Sequence, residues 1–294
     1  MCTMKKKFQM IGFALSVLLV TLPVVTVGAD NAASGKQKKE KTTESALGVK
    51  PVTGSWINLA YKDVRNKYTN PQSFDNMDPK LWEAKVRELS AMGIEYLVLM
   101  EVANEGKSYY PSQIMPWWYN KDKKSPVDAI LDEAAKHNMK IFMSSGWAKD
   151  QDDNLLDPAI KERQLQIMEE LASLYKNHKA FYGWYLPVED CLCPIFAEHA
   201  VQSVNTLSEK AKKLAPGKKT LISPYGIGLS EFDNPEYEKQ MQKLKVDIIA
   251  YQDEVGCVRD QFTLPRLKKN WQRLRDIHNR ICLLYTYDDD DDKA

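Results

Sequence analysis

Acidic side chains that directly follow apolar stretches are the residues of this sequence best suited to chemistry. If each apolar stretch is a strand of a parallel barrel, these carboxylates meet at one rim, because the C-terminal ends of barrel strands line a shared pocket. The acidic residues in such positions are Glu101, the pair Glu189 and Asp190, and the pair Asp253 and Glu254.

Two carboxyl groups facing each other suit glycoside hydrolysis. That reaction needs one protonated and one ionised carboxyl group, about 5 Å apart for retention of configuration or roughly 6.5–9.5 Å for inversion. Glu189 is flanked by Trp184, Tyr185 and Pro187, an apolar setting that raises a carboxyl pKa and favours the protonated form. We predict Glu189 as the general acid. The candidates for its partner are Asp253, Glu254, Glu101 and Asp288.

Simpler roles for these acids stay open at this point. Glu189 and Asp190 precede a predicted helix, and an acidic side chain in that place also serves as a helix cap. Asp253 and Glu254 are equally compatible with charges on a solvent-exposed loop.

Aromatic and amide side chains near the predicted strand ends are candidates for binding a sugar. Tryptophan and tyrosine rings offer large rigid surfaces on which the C–H faces of sugars stack, and amides bond to hydroxyl groups. Trp56 and Trp184 are alternatively core residues, an interpretation that is favoured for Trp184. The predicted binding residues are Trp56, Asn58, Glu101, Trp147, Tyr185, Tyr225 and Gln252, with the aromatic loop at residues 109–119.

Neither a cofactor nor a metal ion is expected. No phosphate-binding glycine motif is present, and the histidines have no metal-site spacing. We interpret all four as helix residues away from strand ends. They are His137, His178, His199 and His278.

Strand-like and helix-like segments alternate from residue 50 onward, which predicts parallel strands joined by right-handed crossovers. Without a glycine-rich phosphate loop, a (β/α)8-type TIM barrel is favoured over a doubly wound sheet. Only about seven strands are recognisable, so we predict an incomplete barrel that lacks the last helix and strand. The predicted strands are residues 54–61, 94–100, 139–145, 180–186, 219–223, 246–251 and 281–287. Helices are predicted to begin at Asp78-Pro79, Ser125-Pro126, Asp157-Pro158, Pro194, Asn234-Pro235 and Leu264-Pro265.

Flanking segments define the predicted domain boundaries. Residues 1–29 combine Lys5, Lys6 and Lys7 with an apolar run, as a cleaved signal peptide does; the alternative is a membrane anchor. We predict a flexible linker at residues 30–50, the barrel domain at residues 51–287 and an acidic tail at residues 288–294. Loss of the three lysines lowers the formal net charge from +1 to −2, which argues against a nucleic-acid partner.

Four cysteines remain after removal of the predicted signal peptide, too few in so long a domain for a disulfide scaffold. Export makes disulfides possible, and a bridge from the pair Cys191 and Cys193 to Cys257 is one option. Idle thiols, Cys282 included, are the other. We predict a secreted or periplasmic protein with no stable membrane anchor after cleavage.

Four segments resemble the secreted bacterial family known as domain of unknown function 4434. They are GSWINLAY at residues 54–61, YGWYLPVED at 182–190, SPYG at 223–226 and VDIIAYQDEVG at 246–256. The resemblance implies a TIM barrel similar to glycoside hydrolases, with Glu189 as proton donor. Two departures stand out. Residues 281–294, ICLLYTYDDDDDKA, lack the Trp-Ala-Asn-x-Glu pattern that would supply a second carboxylate, and Val188 stands where many such enzymes have Asn.

Two classes of function are therefore left open. One is a secreted glycoside hydrolase that acts on an oligo- or polysaccharide through Glu189. The other is a non-catalytic or defective carbohydrate-binding barrel that lacks the second carboxylate. An incomplete gene product with unpaired strand edges is a third possibility.

Overall fold

A parallel sheet of six strands with helices packed along one face forms the body of the molecule. The computed structural model describes residues 52–59, 78–148, 154–252 and 262–281. The strands are β1 (Gly54–Ile57), β2 (Tyr96–Leu99), β3 (Ala103–Asn104), β4 (Lys107–Ser108), β5 (Lys140–Ser144), β6 (Phe181–Tyr185), β7 (Lys219–Ile222) and β8 (Ile248–Ile249). The helices are α1 (Pro79–Ala91), α2 (Pro126–Lys136), α3 (Pro158–Tyr175), α4 (Glu198–Leu214), α5 (Pro235–Lys243) and α6 (Leu264–Ile281).

The six-stranded sheet confirms the predicted fold class. Its strand order is β1-β2-β5-β6-β7-β8, and every neighbouring pair is parallel. This is an incomplete (β/α)8 barrel, and six of the seven predicted strands are observed. The seventh, residues 281–287, lies outside the described residues except for Ile281, which is in α6 and not in a strand.

Helix starts follow the sequence signals closely. Asp78, Ser125, Asp157 and Asn234 each accept a backbone N–H with their side chains, and a proline follows each of them. Proline suits this first position because its missing N–H would have no partner there. These caps fix where α1, α2, α3 and α5 begin.

Helix α4 begins four residues later than the sequence predicts, at Glu198 and not at Pro194. The backbone before it is used elsewhere. Cys191 forms a parallel bridge with Tyr225, and the carbonyl of Pro194 accepts the N–H of Glu231. The segment after Glu189 is therefore an extended loop.

The two faces of the sheet have different roles. Trp184 is fully buried among helix residues and meets Phe181 edge-on, which confirms its interpretation as a core residue. Since successive side chains of a strand alternate between faces, Tyr185 lies on the other side. There it packs in the barrel interior with Val98 and Phe142.

A small antiparallel hairpin, β3–β4, which the sequence analysis did not predict, lies between β2 and the aromatic loop. The loop is held by Glu170 of α3. The carboxylate of this residue accepts the hydroxyl protons of Tyr110 and Ser112, at 2.8 and 2.6 Å, and the backbone N–H of Gln113 at 2.6 Å. The loop is therefore fixed to the helical layer.

The segments outside the described residues include the predicted signal peptide, linker and acidic tail. Those boundaries stay predictions. In the part of the chain that is described, none of the helices has the length and apolar character needed to cross a membrane.

Candidate functional site

Glu189 lies just beyond the C-terminal end of β6, in the place that the sequence predicts. Its Oε1 accepts a hydrogen bond of 3.0 Å from the hydroxyl of Tyr185, four residues earlier. The residue is partly exposed. Burial of the carboxyl group raises the pKa of Glu189 above its ordinary value, and the Tyr185 hydrogen bond opposes only part of that rise. The site therefore favours a protonated carboxyl group.

The side chain of Tyr185 connects Glu189 to other strands. It is fully buried, so its ring offers no surface to a ligand, unlike the direct substrate contact that the sequence predicts. Burial first, and then the charge of Glu189, raises the pKa of Tyr185 well above its ordinary value. The nearby Trp56 side chain lowers this pKa, and the charge of Glu101 raises it further. The ends of β1, β2 and β6 thus converge on one hydroxyl group.

Glu101 is enclosed at the end of β2, with 1% of its surface exposed. One carboxylate oxygen accepts the backbone N–H of Leu59 at 3.1 Å. Its charge also contributes, after burial, to raising the pKa of Tyr109. This placement corrects the prediction of a substrate ligand. A carboxylate so enclosed holds the segment after β1 in place instead.

The other predicted binding residues occupy varied environments. Trp56 is 39% exposed, whereas Trp147 is 7% exposed and thus mostly covered. Asn58 has a buried Oδ1 without a hydrogen-bond partner among the described residues. Tyr225 and Gln252 are half-buried, and Gln252 Nε2 donates to the carbonyl of Ser223 at 2.9 Å.

The aromatic loop contributes less open ring surface than the sequence predicts. Trp117 stacks on Tyr119 with ring centroids 5.1 Å apart, and the Lys121 ammonium lies 5.0 Å from the Trp117 ring. Trp118 stacks in the same way on the buried Tyr109. Both indoles are thus already engaged with the protein.

Three candidate carboxylates cannot be placed. Asp253, Glu254 and Asp288 lie outside the described residues. Whether any of them faces Glu189 stays a prediction.

An ion pair beside Glu189 was missed by the sequence reasoning. Asp190 Oδ2 lies 3.0 Å from Nε2 of His199, and its Oδ1 accepts the backbone N–H of Cys191 at 2.7 Å. His199 is the second residue of α4 and its side chain is 57% exposed, which agrees with the prediction of a helix residue. Its contact with Asp190 brings it nearer to the end of β6 than the sequence predicts. The available signal was a histidine in the predicted first turns of the helix after Glu189 and Asp190.

No group of three or more His, Cys, Asp or Glu side chains is arranged to hold a metal ion in the described segments. Cys191 and Cys193 approach each other, with the Cys193 N–H donating to Cys191 Sγ at 3.2 Å. They are not bridged to one another. Cys257 and Cys282 lie outside the described residues.

The described residues form an incomplete (β/α)8 barrel with Glu189 beyond the C-terminal end of one of its strands. The chain belongs to the family described as Domain of unknown function (DUF4434), whose match covers residues 52–287. The sequence resemblance to this family is thereby confirmed. None of the curated proteins compared matches the chain.

Two of the solved structures similar to this chain are named as a fucosidase and as a xylanase. A "putative alpha-L-fucosidase" from Bacteroides thetaiotaomicron VPI-5482 superimposes with a TM-score of 0.59 at 17% identity, covering 86% of this chain and 77% of that one. The intracellular xylanase TsXylA from Thermoanaerobacterium saccharolyticum JW/SL-YS485 matches with a TM-score of 0.43 at 16% identity, covering 68% of each chain. At such identity the first likeness shows the fold alone.

Proposed function

We propose that this protein is a secreted glycoside hydrolase that acts on an oligo- or polysaccharide, with Glu189 as the general acid. One observation carries the proposal. Glu189 stands at the C-terminal end of a barrel strand in a setting that raises its pKa, and this is the property that a proton donor needs at neutral pH. Export rests on the leader-like residues 1–29. A relative in fold that is named as a fucosidase supports the substrate class.

The role of Glu189 follows from its two protonation states. When protonated, it donates its proton to the glycosidic oxygen as the bond to the sugar breaks, so that the leaving group departs as a neutral alcohol. The resulting carboxylate is stabilised by the hydrogen bond from Tyr185. In a retaining mechanism the same carboxylate then activates water.

The second carboxylate is best sought among Asp253, Glu254 and Asp288. Glu101 is less suited, because it is 1% exposed and accepts the backbone N–H of Leu59. Asp253 and Glu254 directly follow the segment that ends at Gln252 beyond β8. A carboxylate there would stand at the rim on which Glu189 lies.

Trp56 is the best candidate for stacking a sugar ring. It is 39% exposed near the end of β1, and its side chain lies close enough to the Tyr185 hydroxyl to lower its pKa. A sugar packed on this indole would lie close to the Tyr185–Glu189 pair. Gln252, which is half-buried, would supply polar contacts.

The test compares Glu189→Gln with Glu198→Gln, an exposed control in the first turn of α4. Hydrolysis is measured on a panel of glycosides that carry either an alkoxide or a 2,4-dinitrophenolate leaving group. We expect Glu189→Gln to lose about 100-fold or more on the alkyl glycosides and much less on the dinitrophenyl glycosides, whose departure needs no proton. Unchanged turnover, or equal losses on both, would contradict the assignment of the acid.

A carbohydrate-binding barrel without catalysis is the second candidate. It is favoured by the burial of Glu101. Among the described residues this is the one carboxylate besides Glu189 that raises the pKa of Tyr185, and it is enclosed and accepts a backbone N–H, so it is poorly placed to act as the second catalytic carboxylate. Calorimetric binding of an oligosaccharide by the wild-type protein, without release of reducing ends, would identify this function.

A further inference from the structure

A polar connection crosses the barrel interior between β1 and β6. These strands are not neighbours, since β2 and β5 stand between them in the sheet. Nevertheless the Trp56 side chain lies close enough to the Tyr185 hydroxyl to lower its pKa, and this hydroxyl donates to Oε1 of Glu189 at 3.0 Å. The three side chains therefore form a polar connection that ends on the predicted acid.

The direction of each hydrogen bond follows from the chemistry of the groups. An indole N–H is a donor only, so the Tyr185 hydroxyl must act as acceptor toward Trp56. The hydroxyl carries a single proton, and Oε1 of Glu189 lies 3.0 Å away. That proton therefore points to Glu189. Among the described residues Glu189 is the one group that accepts the Tyr185 hydroxyl proton. A reversed bond, with the acid proton on Oε1, would leave this buried hydroxyl without an acceptor.

We propose that Tyr185, oriented by Trp56, is a positioning residue that holds Oε1 of Glu189 as an acceptor and leaves Oε2 as the oxygen that carries the catalytic proton. This inference rests on the proposed function of Glu189. An acid whose proton can sit on only one oxygen is preorganised, because the lone pair of a substrate oxygen meets it in one geometry. Without Tyr185, the carboxyl group rotates and the proton is shared between both oxygens.

The charged groups around the connection keep Tyr185 in its donor form. Burial, the charge of Glu189 and the charge of Glu101 all raise the pKa of Tyr185. Asp190, next to Glu189, is paired with His199 at 3.0 Å. Tyr185 is also the one described side chain whose hydrogen bond lowers the pKa of Glu189. The state of the acid is therefore set by this hydroxyl and by burial.

The experiment measures the ionisation of Glu189 directly, without any substrate. The side-chain carboxyl carbon is followed by NMR in ¹³C-glutamate-labelled protein, and Glu189→Gln identifies its signal. The variants are Tyr185→Phe, Trp56→Phe and the control Tyr182→Phe, a residue of the same strand whose ring meets those of Tyr96 and Phe142 edge-on.

We expect the pKa of Glu189 to rise in Tyr185→Phe, because the carboxylate loses its donor. A smaller rise is expected in Trp56→Phe, where the donor remains but is no longer oriented, and no change in Tyr182→Phe. In Tyr185→Phe, the alkaline limb of the pH profile of hydrolysis should move to higher pH by the same amount as the pKa of Glu189. Turnover should fall roughly tenfold, as expected for the loss of one hydrogen bond.

The outcomes separate this inference from the proposed function. An unchanged pKa in Tyr185→Phe, or a change matched by Tyr182→Phe, overturns the positioning role even if the enzyme hydrolyses glycosides. If Tyr185→Phe does not fold, Trp56→Phe decides in the same way. A rise in pKa with no hydrolysis of any glycoside by the wild type would support the connection and refute the hydrolase.

Discussion

Gly183 gives a direct test of how closely the strands around the site are packed. It lies in the middle of β6, where an added Cβ would stand 2.5 Å from the backbone oxygen of Lys219 and 2.8 Å from Cε1 of Phe142. The first contact is with a neighbouring strand, so no side chain can rotate away to relieve it. Gly183→Ala must push β6 and β7 apart.

The expected cost follows from this overlap. Overpacking against rigid surroundings destabilises by about 1–3 kcal/mol, and a backbone contact places Gly183→Ala near the upper end, at about 2–3 kcal/mol. Gly54→Ala is a matched control in β1, where the added Cβ would lie 3.6 Å from Cβ of Tyr96, an ordinary contact. That change should stay within about 0.5 kcal/mol.

Urea unfolding and thermal melting followed by circular dichroism measure both variants. For a domain of this size we expect the melting temperature to fall by roughly 5–10 °C in Gly183→Ala and to stay nearly constant in Gly54→Ala. Equal stabilities of the two variants would refute the reasoning, because the difference between them rests on the close approach of Lys219 and Phe142 to Gly183. Activity should fall as well, since β6 carries Glu189.

Two further predictions concern charges that hold the scaffold together. Glu133 is buried and its pKa is lowered to about 2 by Lys136, Arg87 and His137; its stabilising effect is therefore full above its ordinary pKa of 4.5 and is lost as the pH falls toward 2. Because Lys136 and Arg87 reach solvent, we expect Glu133 to contribute about 1–2 kcal/mol to the free energy of unfolding. Glu133→Gln should therefore remove this dependence on acid pH when unfolding is measured in urea. A dependence equal to that of the wild type would contradict the prediction. Glu170→Ala leaves the hydroxyls of Tyr110 and Ser112 without their acceptor, so it should lower the free energy of unfolding by about 2–4 kcal/mol and make the aromatic loop sensitive to proteolysis. Glu162 is exposed on the same helix, and Glu162→Ala should change neither quantity.

Local sequence patterns determined most of the framework. The residue pairs Asp78-Pro79, Ser125-Pro126, Asp157-Pro158 and Asn234-Pro235 each begin a helix as predicted, since a capping oxygen and a fixed proline φ act within one turn of the chain. Short apolar runs between helices likewise identify buried parallel strands. Once the strands are known, the place of Glu189 at a strand end follows from the chain order alone.

The exceptions were set by contacts between distant segments. The start of α4 moved to Glu198 because Pro194 and Cys191 are bonded to the loop that follows β7. In the β3–β4 hairpin the carbonyl of Ala103 accepts the N–H of Trp147, which follows β5, and Glu170 of α3 anchors the loop after the hairpin. No local pattern contains such partners.

The site shows the same division between sequence and tertiary structure. The sequence identified Glu189, and with Trp184, Tyr185 and Pro187 it already indicated an apolar setting. Only the tertiary structure decided that Tyr185 is buried and bonded to Glu189, that Trp56 reaches it from a strand that is not its neighbour, and that Glu101 is enclosed. The physical reason is that closure of the sheet determines which side chains meet across the interior, and residues as far apart as Trp56 and Tyr185 become neighbours only when the strands between them curve.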